Sequence, residues 1–258
     1  MCIRDSASEA RRREPAIAPT LRLALAVPDD HAVDPRALAR ALALAVERSG
    51  GTVREHAPVA RVLAGERIEG VELAGGERIA AEQVVVAAGA WVEALDGLPA
   101  EARVPVRPVK GQIMRLRDPA GPGLLRHVLR MQPGYLVPRG DGRYVLGATM
   151  EEQGFDTSPT AGGVFELLRD AIELVPGVAE LAIEEVAAGL RPGTPDNAPV
   201  LGAGALPGLH WAAGHFRHGV LLAPITAELL AASLAGEQSS SLAAPFASAR
   251  FVREAVAS

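Results

Sequence analysis

The residues best suited to chemistry lie late in the chain. Gly214-His215-Phe216-Arg217-His218-Gly219-Val220-Leu221 is a glycine-flanked loop that feeds an apolar segment from Ile225 to Leu234. Its two glycines permit close backbone approach or positive φ. A helix starting at Gly219 or Val220, with Pro224 in its first turn, would aim unpaired N–H groups and a positive dipole end at whatever lies in front. Such a terminus suits a ligand with negative charge. The same spacing also describes a plain core helix after an ordinary loop.

Two arginines stand out by context. Arg191 sits between Leu190 and a Pro192-Gly193 turn, and Arg217 lies inside the glycine-flanked loop. A guanidinium binds a carboxylate through two parallel hydrogen bonds, although either could equally be a surface ion pair. Tyr135, one of two tyrosines, opens a short β-like run and could orient a small polar ligand or simply pack. His215 and His218 suggest no third ligand, so no metal centre is expected. No Ser-His-Asp or paired-carboxylate arrangement is evident. Gly202-Ala203-Gly204 with Gly208 has the wrong spacing for a phosphate loop.

The elements that must position these groups follow from local patterns. Asp34-Pro35 predicts a helix start; Leu38, Leu42 and Ala45-Val46 recur at helical spacing, and Gly50-Gly51 ends the helix. Thr52 to Val59 reads as a strand. Arg67 to Ile79 reads as a hairpin turning at Gly75-Gly76. Val84 to Trp91 predicts a buried parallel strand, and the small residues Ala88 and Gly89 at its carboxyl end leave room for a ligand. From Arg103 onward, short β-like runs (104–116, 134–137, 144–149, 183–188) surround one amphipathic helix with Phe165, Leu168, Ile172 and Val175 on its expected inner face. Residues 189–197 read as a turn-rich loop. The organisation expected is a leader foreign to the fold (1–14), part of a nucleotide-binding domain (15–102), an inserted antiparallel-sheet domain (103–187), the return of the first domain (188–236) and a tail (237–258), from which Phe246 and Phe251 could pack back.

Composition narrows the class. A chain of 258 residues, 48% apolar, can bury a substantial core. Net charge is −5 and the basic residues are scattered, which argues against nucleic acid. The single cysteine, Cys2, excludes an intrachain disulfide framework. No uninterrupted apolar run reaches membrane-spanning length, so the cell interior is the expected location.

Six segments in order carry a resemblance: Glu55 to Val59 (EHAPV), Val84 to Trp91 (VVVAAGAW), Pro108 to Gln112 (PVKGQ), Gly134 to Met150 (GYLVPRGDGRYVLGATM), Gly189 to Gly202 (GLRPGTPDNAPVLG) and Ala212 to Pro224 (AAGHFRHGVLLAP). Together they resemble the glycine oxidase (ThiO-like) group of FAD-dependent, D-amino-acid-oxidase-type enzymes over about Pro15 to Gly236. The resemblance implies a partial Rossmann-type, glutathione-reductase-like FAD domain of α/β character carrying an inserted α+β substrate domain. It implies that His215, Phe216, Arg217, His218, Gly219, Val220 and Leu221 wrap the flavin ring. Val59 would contact FAD through its backbone, with Ala88 and Gly89 beside the cofactor. Arg191 would bind the substrate carboxylate, Arg217 would lie beside ring and substrate, and Tyr135 and Met150 would line the substrate pocket. Arg191 and Tyr135 are the expected catalytic residues.

The implied reaction is oxidation of the Cα–N bond of glycine or a similar small amino acid. Dioxygen returns peroxide, and the imine hydrolyses or serves thiamine thiazole synthesis. Sarcosine, D-amino acid or 2-hydroxy acid oxidation remain open, as do an inactive fragment and a homo-oligomer. One departure is large. The G-x-G-x-x-G that opens the family is absent, so this sequence looks like the carboxyl two-thirds of such an enzyme.

Overall fold

The computed structural model describes residues 3–132, 134–237 and 240–251. In chain order the elements are β1 (Ile3–Ser6), α1 (Ala7–Arg13), β2 (Leu23–Ala26), α2 (Pro35–Arg48), β3 (Val59–Ala64), β4 (Ile68–Leu73), β5 (Arg78–Ala80) and β6 (Val84–Val86). There follow β7 (Arg107–Arg117), β8 (Leu129–Arg130), β9 (Tyr135–Pro138), β10 (Arg143–Gly147), α3 (Ala161–Leu174), β11 (Ala182–Gly193), β12 (Val200–Ala203), β13 (Leu209–Ala213) and α4 (Gly219–Leu234). They form two compact units, residues 1–34 with 110–190 and residues 35–109 with 191–258. The mixture of one small parallel pairing with antiparallel sheets is the α/β plus α+β class read from the sequence. Residues 15–34 cluster with the second β-rich segment, not with the part that follows them, which corrects the expected boundary.

In the first unit, β7, β10, β9 and β8 form a continuous antiparallel run within a five-stranded sheet of order β11-β7-β10-β9-β8. Met114, Leu116, Leu136, Tyr144 and Leu146 bury against Leu167, Ala171 and Val175 of α3 and its end. Three of the four residues expected on the inner face pack there: Val175 is buried, and Leu168 and Ile172 are partly buried against the same cluster. Leu167 and Ala171 are buried, whereas Phe165 is 64% exposed and lies under the Arg169 guanidinium.

Residues 3–13 are not a leader outside the fold. β1 pairs antiparallel with β2, and α1 begins with a reciprocal cap: Ser6 Oγ accepts from Glu9 N–H, and Glu9 accepts from Ser6 N–H. Ala10, Ile17 and Ala18 are buried. The Glu14 carboxylate, 3% exposed, accepts the N–H groups of Arg126 and His127 at 2.9 and 2.5 Å. The Ser-x-x-Glu spacing was the available signal; the three arginines obscured it.

In the second unit, α2 starts and stops where the sequence places it, with Gly50 at φ +85° just beyond it. Its apolar stripe is not buried: Leu42, Leu44 and Val46 are exposed. The strand expected over 52–59 is absent. His56 has φ +56° and Pro58 follows, so the ladder begins only at Val59. β3, β4 and β5 make the antiparallel hairpin sheet expected around Gly75-Gly76. β6 pairs in parallel with β13, and β12 pairs antiparallel with β13. The core comprises Val62, Ile68, Val86, Val104, Val106, Val200, Leu209 and Trp211. Beyond Gly236 the described residues are not a free tail, since short turns over Ala244–Phe246 and Ser248–Arg250 lead Phe251 onto that core. The remainder of the expected tail, 252–258, lies outside the described residues.

The burial pattern separates two apolar sites by consequence. Met114→Ala, emptying a fully buried position, is expected to cost about 2–5 kcal/mol, and Leu42→Ala within about 0.5 kcal/mol of zero. Urea unfolding of this chain reads both; equal losses would contradict the assigned core.

Candidate functional site

Two parallel strand ends organise the second unit. The β6–β13 register sets Val84 against Leu209 and Val86 against Trp211. Ala88-Gly89 and Gly214-His215 therefore leave neighbouring strands in the same direction, the place where open α/β sheets hold ligands. Gly89 has φ +56°, and a Cβ there would meet open space. Val59 and Ala88 line one apolar groove of about 470 Å³ with Val62, Val85 and Trp91.

The loop after β13 is built by close approach. Gly214 has φ +71°, and a Cβ there would lie 2.6 Å from the Thr194 methyl group, so glycine is required on both counts. Phe216 also adopts positive φ, +48°, a strained state for a bulky residue that persists only where surroundings enforce it. The enforcing contact is visible: Phe216 N–H donates to the Pro192 carbonyl at 2.9 Å. Pro192 is next to Arg191, so the loop and the expected carboxylate anchor are tied one residue apart. Arg191 lies within the last residues of β11, half-buried, not in the loop read for 189–197. Arg217 is exposed and makes no ion pair among the described residues.

His218 N–H closes a turn on the His215 carbonyl, and α4 begins at Gly219 without a side-chain cap. The N–H groups of Gly219, Val220 and Leu221 point out of the helix start. Val220 and Leu221 expose their side chains there. Pro224 falls in the second turn, not the first, and leaves the Val220 carbonyl without its usual intrahelical donor. His215 Nε2 and Thr226 Oγ1 share a hydrogen bond of 2.9 Å that ties the loop to α4. Burial pushes His215 below its ordinary value, favouring the neutral ring.

Tyr135 and Met150 belong to the first unit. β9 pairs with β10 so that Tyr135 stands opposite Gly147. The tyrosine ring folds over that glycine: a Cβ at Gly147 would be 2.7 Å from the Tyr135 hydroxyl and 2.9 Å from Ile113 Cγ2. Met150, 61% exposed, sits between two pinned residues. Thr149 Oγ1 accepts from Gln112 N–H at 2.9 Å and donates to the Glu151 carboxylate. Gln112 Nε2 donates to Glu151 at 2.8 Å and to Thr160 Oγ1 at 3.0 Å, while its Oε1 accepts Thr160 N–H. Burial would raise Glu151, but the Thr149 and Gln112 hydrogen bonds and the Lys110 charge outweigh it and hold the carboxyl low. Lys110, 1% exposed, reaches Asp156 at 2.8 Å and closes the same segment.

Sequence reasoning missed Gly147, Thr194 and Thr226. Thr194 is fully buried, and its hydroxyl lies 2.9 Å from Asp196 and 2.8 Å from the Ala198 carbonyl. The Thr-x-Asp spacing inside a proline-rich run was the one local clue.

Residues 4–233 match the sequence profile of the FAD dependent oxidoreductase family, and the chain belongs to that family. FAD is the family's cofactor. Among individual relatives, the bifunctional protein ThiO/ThiG of Synechocystis is 40% identical over 228 residues, 87% of this chain and 34% of that protein. The hydrogen cyanide synthase subunit HcnC of Pseudomonas aeruginosa is 36% identical over 251 residues, 96% of this chain and 60% of the relative. The crystal structure of glycine oxidase from Geobacillus kaustophilus superposes with a TM-score of 0.88 at 34% identity, covering 96% of this chain and 66% of that one. The chain thus spans less than two thirds of the curated relatives named here. Uncapped amides beside exposed Val220 and Leu221 fit the ring end of a flavin, whose electron-rich edge seeks donors and whose faces are apolar. This sequence holds no G-x-G-x-x-G. Among the described residues, no helix is long and apolar enough to cross a membrane.

Two expectations follow from this geometry. Gly147→Ala drives a methyl group into Tyr135 and Ile113 and should destabilise by about 1–3 kcal/mol, and pairing it with Tyr135→Ala should recover part of that loss. Additive losses in thermal unfolding would disprove the contact. For His215 the sign is set by its lowered value: the unfolded chain takes up protons first as pH falls below about 6.5, so stability is full above that and declines on acidification. Burial of His210 acts in the same direction. His215→Asn should therefore flatten, without abolishing, the loss of stability between pH 7 and 5; an unchanged slope would mean the ring is not held neutral.

Proposed function

We propose that the protein oxidises the Cα–N bond of glycine or a similarly small amino acid, giving an imine and hydrogen peroxide, with the imine available for thiazole assembly in thiamine synthesis. The second unit is read as the FAD-binding part and the first as the substrate part. The observation that carries the reading is the Pro192–Phe216 hydrogen bond, which ties the main chain next to Arg191 to the glycine-flanked loop. FAD, when bound, supplies the acceptor for the electron pair, which dioxygen then removes.

The chain's own residues bind and orient. Arg191 holds the substrate carboxylate through paired, charge-assisted hydrogen bonds. Tyr135, its ring folded over Gly147, and the exposed Met150 are the residues assigned to the substrate part. Arg217 adds positive charge beside the loop. The amides of Gly219, Val220 and Leu221 stabilise negative charge developing in front of the helix. Positioning of this kind supplies much of the rate without a dedicated side-chain base.

Steady-state kinetics of the full-length protein with glycine, sarcosine, D-alanine, iminodiacetate and glycolate test the substrate class, the highest kcat/KM deciding. The similarity to HcnC favours a second reading, in which cyanide is the product; cyanide in place of peroxide-coupled imine would select it. Arg191→Ala in the full-length protein should raise KM for glycine roughly ten- to hundredfold while the bound-flavin spectrum stays unchanged. An unaltered KM would remove Arg191 from carboxylate binding.

A further inference from the structure

We propose that Arg250, close to the end of the described chain, is a positioning residue for Arg191: its guanidinium clasps the turn that follows Arg191 and so fixes that strand end together with the Gly214–His218 loop. The role assigned to Arg191 rests on the function proposed above; the clasp itself does not.

All three guanidinium nitrogens of Arg250 are engaged. Nε donates to Asp196 Oδ2 at 2.9 Å, Nη2 to the Ala198 carbonyl at 2.9 Å, and Nη1 to the Phe246 carbonyl at 2.9 Å. Nη2 also reaches Asp196 Oδ1 at 3.3 Å. A face of the guanidinium is covered by the Phe251 ring, 4.1 Å away, and Phe251 packs on the unit's core. An arginine so held is preorganised in a way that a surface arginine is not. Its side chain is 19% exposed and that of Asp196 46%, so solvent partly screens the ion pair and the main-chain hydrogen bonds share in holding the turn. Hydrogen bonding from Arg250, against opposing burial, holds Asp196 at about 2.

The clasped turn leads straight to the site. Asp196 Oδ1 accepts from Ala198 N–H at 3.0 Å and lies 2.9 Å from the Thr194 hydroxyl. The Thr194 carbonyl accepts from Arg107 Nη1 at 2.7 Å, so the turn is gripped by arginines on both sides of it in sequence. Thr194 Cγ2 is the atom against which Gly214 is packed, and Pro192, two residues before Thr194, receives the Phe216 amide. Loosening Arg250 therefore frees the segment that sets both the direction of Arg191 and the left-handed turn at Phe216. Arg250 lies outside residues 4–233 that match the family profile.

Hydrogen exchange read by mass spectrometry on this chain tests the clasp. Arg250→Ala should speed exchange in 192–200 and 214–218 about tenfold or more, with the β3–β5 hairpin unchanged. Arg250→Lys should recover part of the protection, and Asp196→Asn, which keeps the side-chain shape, should reproduce the loss if Arg250→Ala folds poorly. Unchanged exchange in both variants overturns the clasp. In the full-length protein, Arg250→Ala should raise KM for glycine about tenfold with kcat within about twofold and an unchanged flavin spectrum. Faster exchange with an unchanged KM, where Arg191→Ala raises KM, would overturn the positioning role and leave a structural tie. If Arg191→Ala leaves KM unchanged, the carboxylate reading falls, and the positioning role with it, while the exchange result still stands.

Discussion

One backbone hydrogen bond, from Phe216 N–H to the Pro192 carbonyl, governs the arrangement of the second unit's site. It joins segments far apart in sequence, and it is the bond that makes a left-handed phenylalanine tolerable. Such a conformation costs on the order of 1 kcal/mol or more and needs external enforcement. The enforcement is layered. Gly214 lets the loop approach Thr194, Thr194 caps its own turn through Asp196 and Ala198, and arginines at 107 and 250 hold that turn in place. At Gly214 a larger side chain would not fit, so the loop is specified by exclusion as much as by attraction.

The first unit solves a related problem differently. Tyr135 and Met150 are carried by adjacent antiparallel strands and the segment that follows, where register alone brings a side chain opposite its partner. Gly147 gives the ring its space. The polar group Gln112, fully buried, then spends its whole hydrogen-bonding capacity on the segment bearing Met150 and the Thr160 cap beyond it. A buried amide with satisfied donors and acceptor tolerates few alternative geometries. Tyr135 and Met150 are thereby held by a sheet and a side-chain network, the second unit's loop by backbone turns.

Much of this was legible in the sequence, and the boundary of legibility is physical. Local signals worked where structure is local: the Asp34-Pro35 start of α2, the Gly75-Gly76 hairpin and the glycine-flanked entry to α4; the buried parallel strand expected over Val84 to Trp91 is parallel but ends at Val86, gives way to a 3-10 turn over Gly89–Val92, and leaves Val85 and Trp91 exposed. They failed where a tertiary partner decides. Residues 52–58 include strand-like side chains at Thr52 and Val53 but have no ladder beside them. Pro192 and Gly193 read as breakers, yet they lie at a strand terminus where a lost donor costs little. At α3 only Phe165 fell outside the packed face. The stripe of α2 was read correctly as amphipathic, but amphipathicity states only that a helix can bury a face, and here Leu42, Leu44 and Val46 are exposed. The ordered motifs pointed to Arg191, Arg217 and Tyr135 as candidates; no local spacing could point to Arg250, whose partner Asp196 lies on a distant turn.

The cation inventory shows why residue type alone could not have ranked these arginines. Twenty-five of the 26 basic residues are arginine, so being an arginine carries almost no information in this chain. Geometry separates them. Arg54 and Arg78 pair with glutamates at the surface, in the class of contacts that contribute little. Arg107 and Arg250 donate to main-chain carbonyls of one turn, where a planar fork can serve several acceptors at fixed angles and a point charge cannot. The exception is consistent with this. Lys110, the sole lysine, runs through a buried position to the Asp156 carboxylate and acts on Glu151 by its charge, which suits a slim stem and a compact charge. In a chain so biased in composition, function is written in which carbonyls and carboxylates each cation faces.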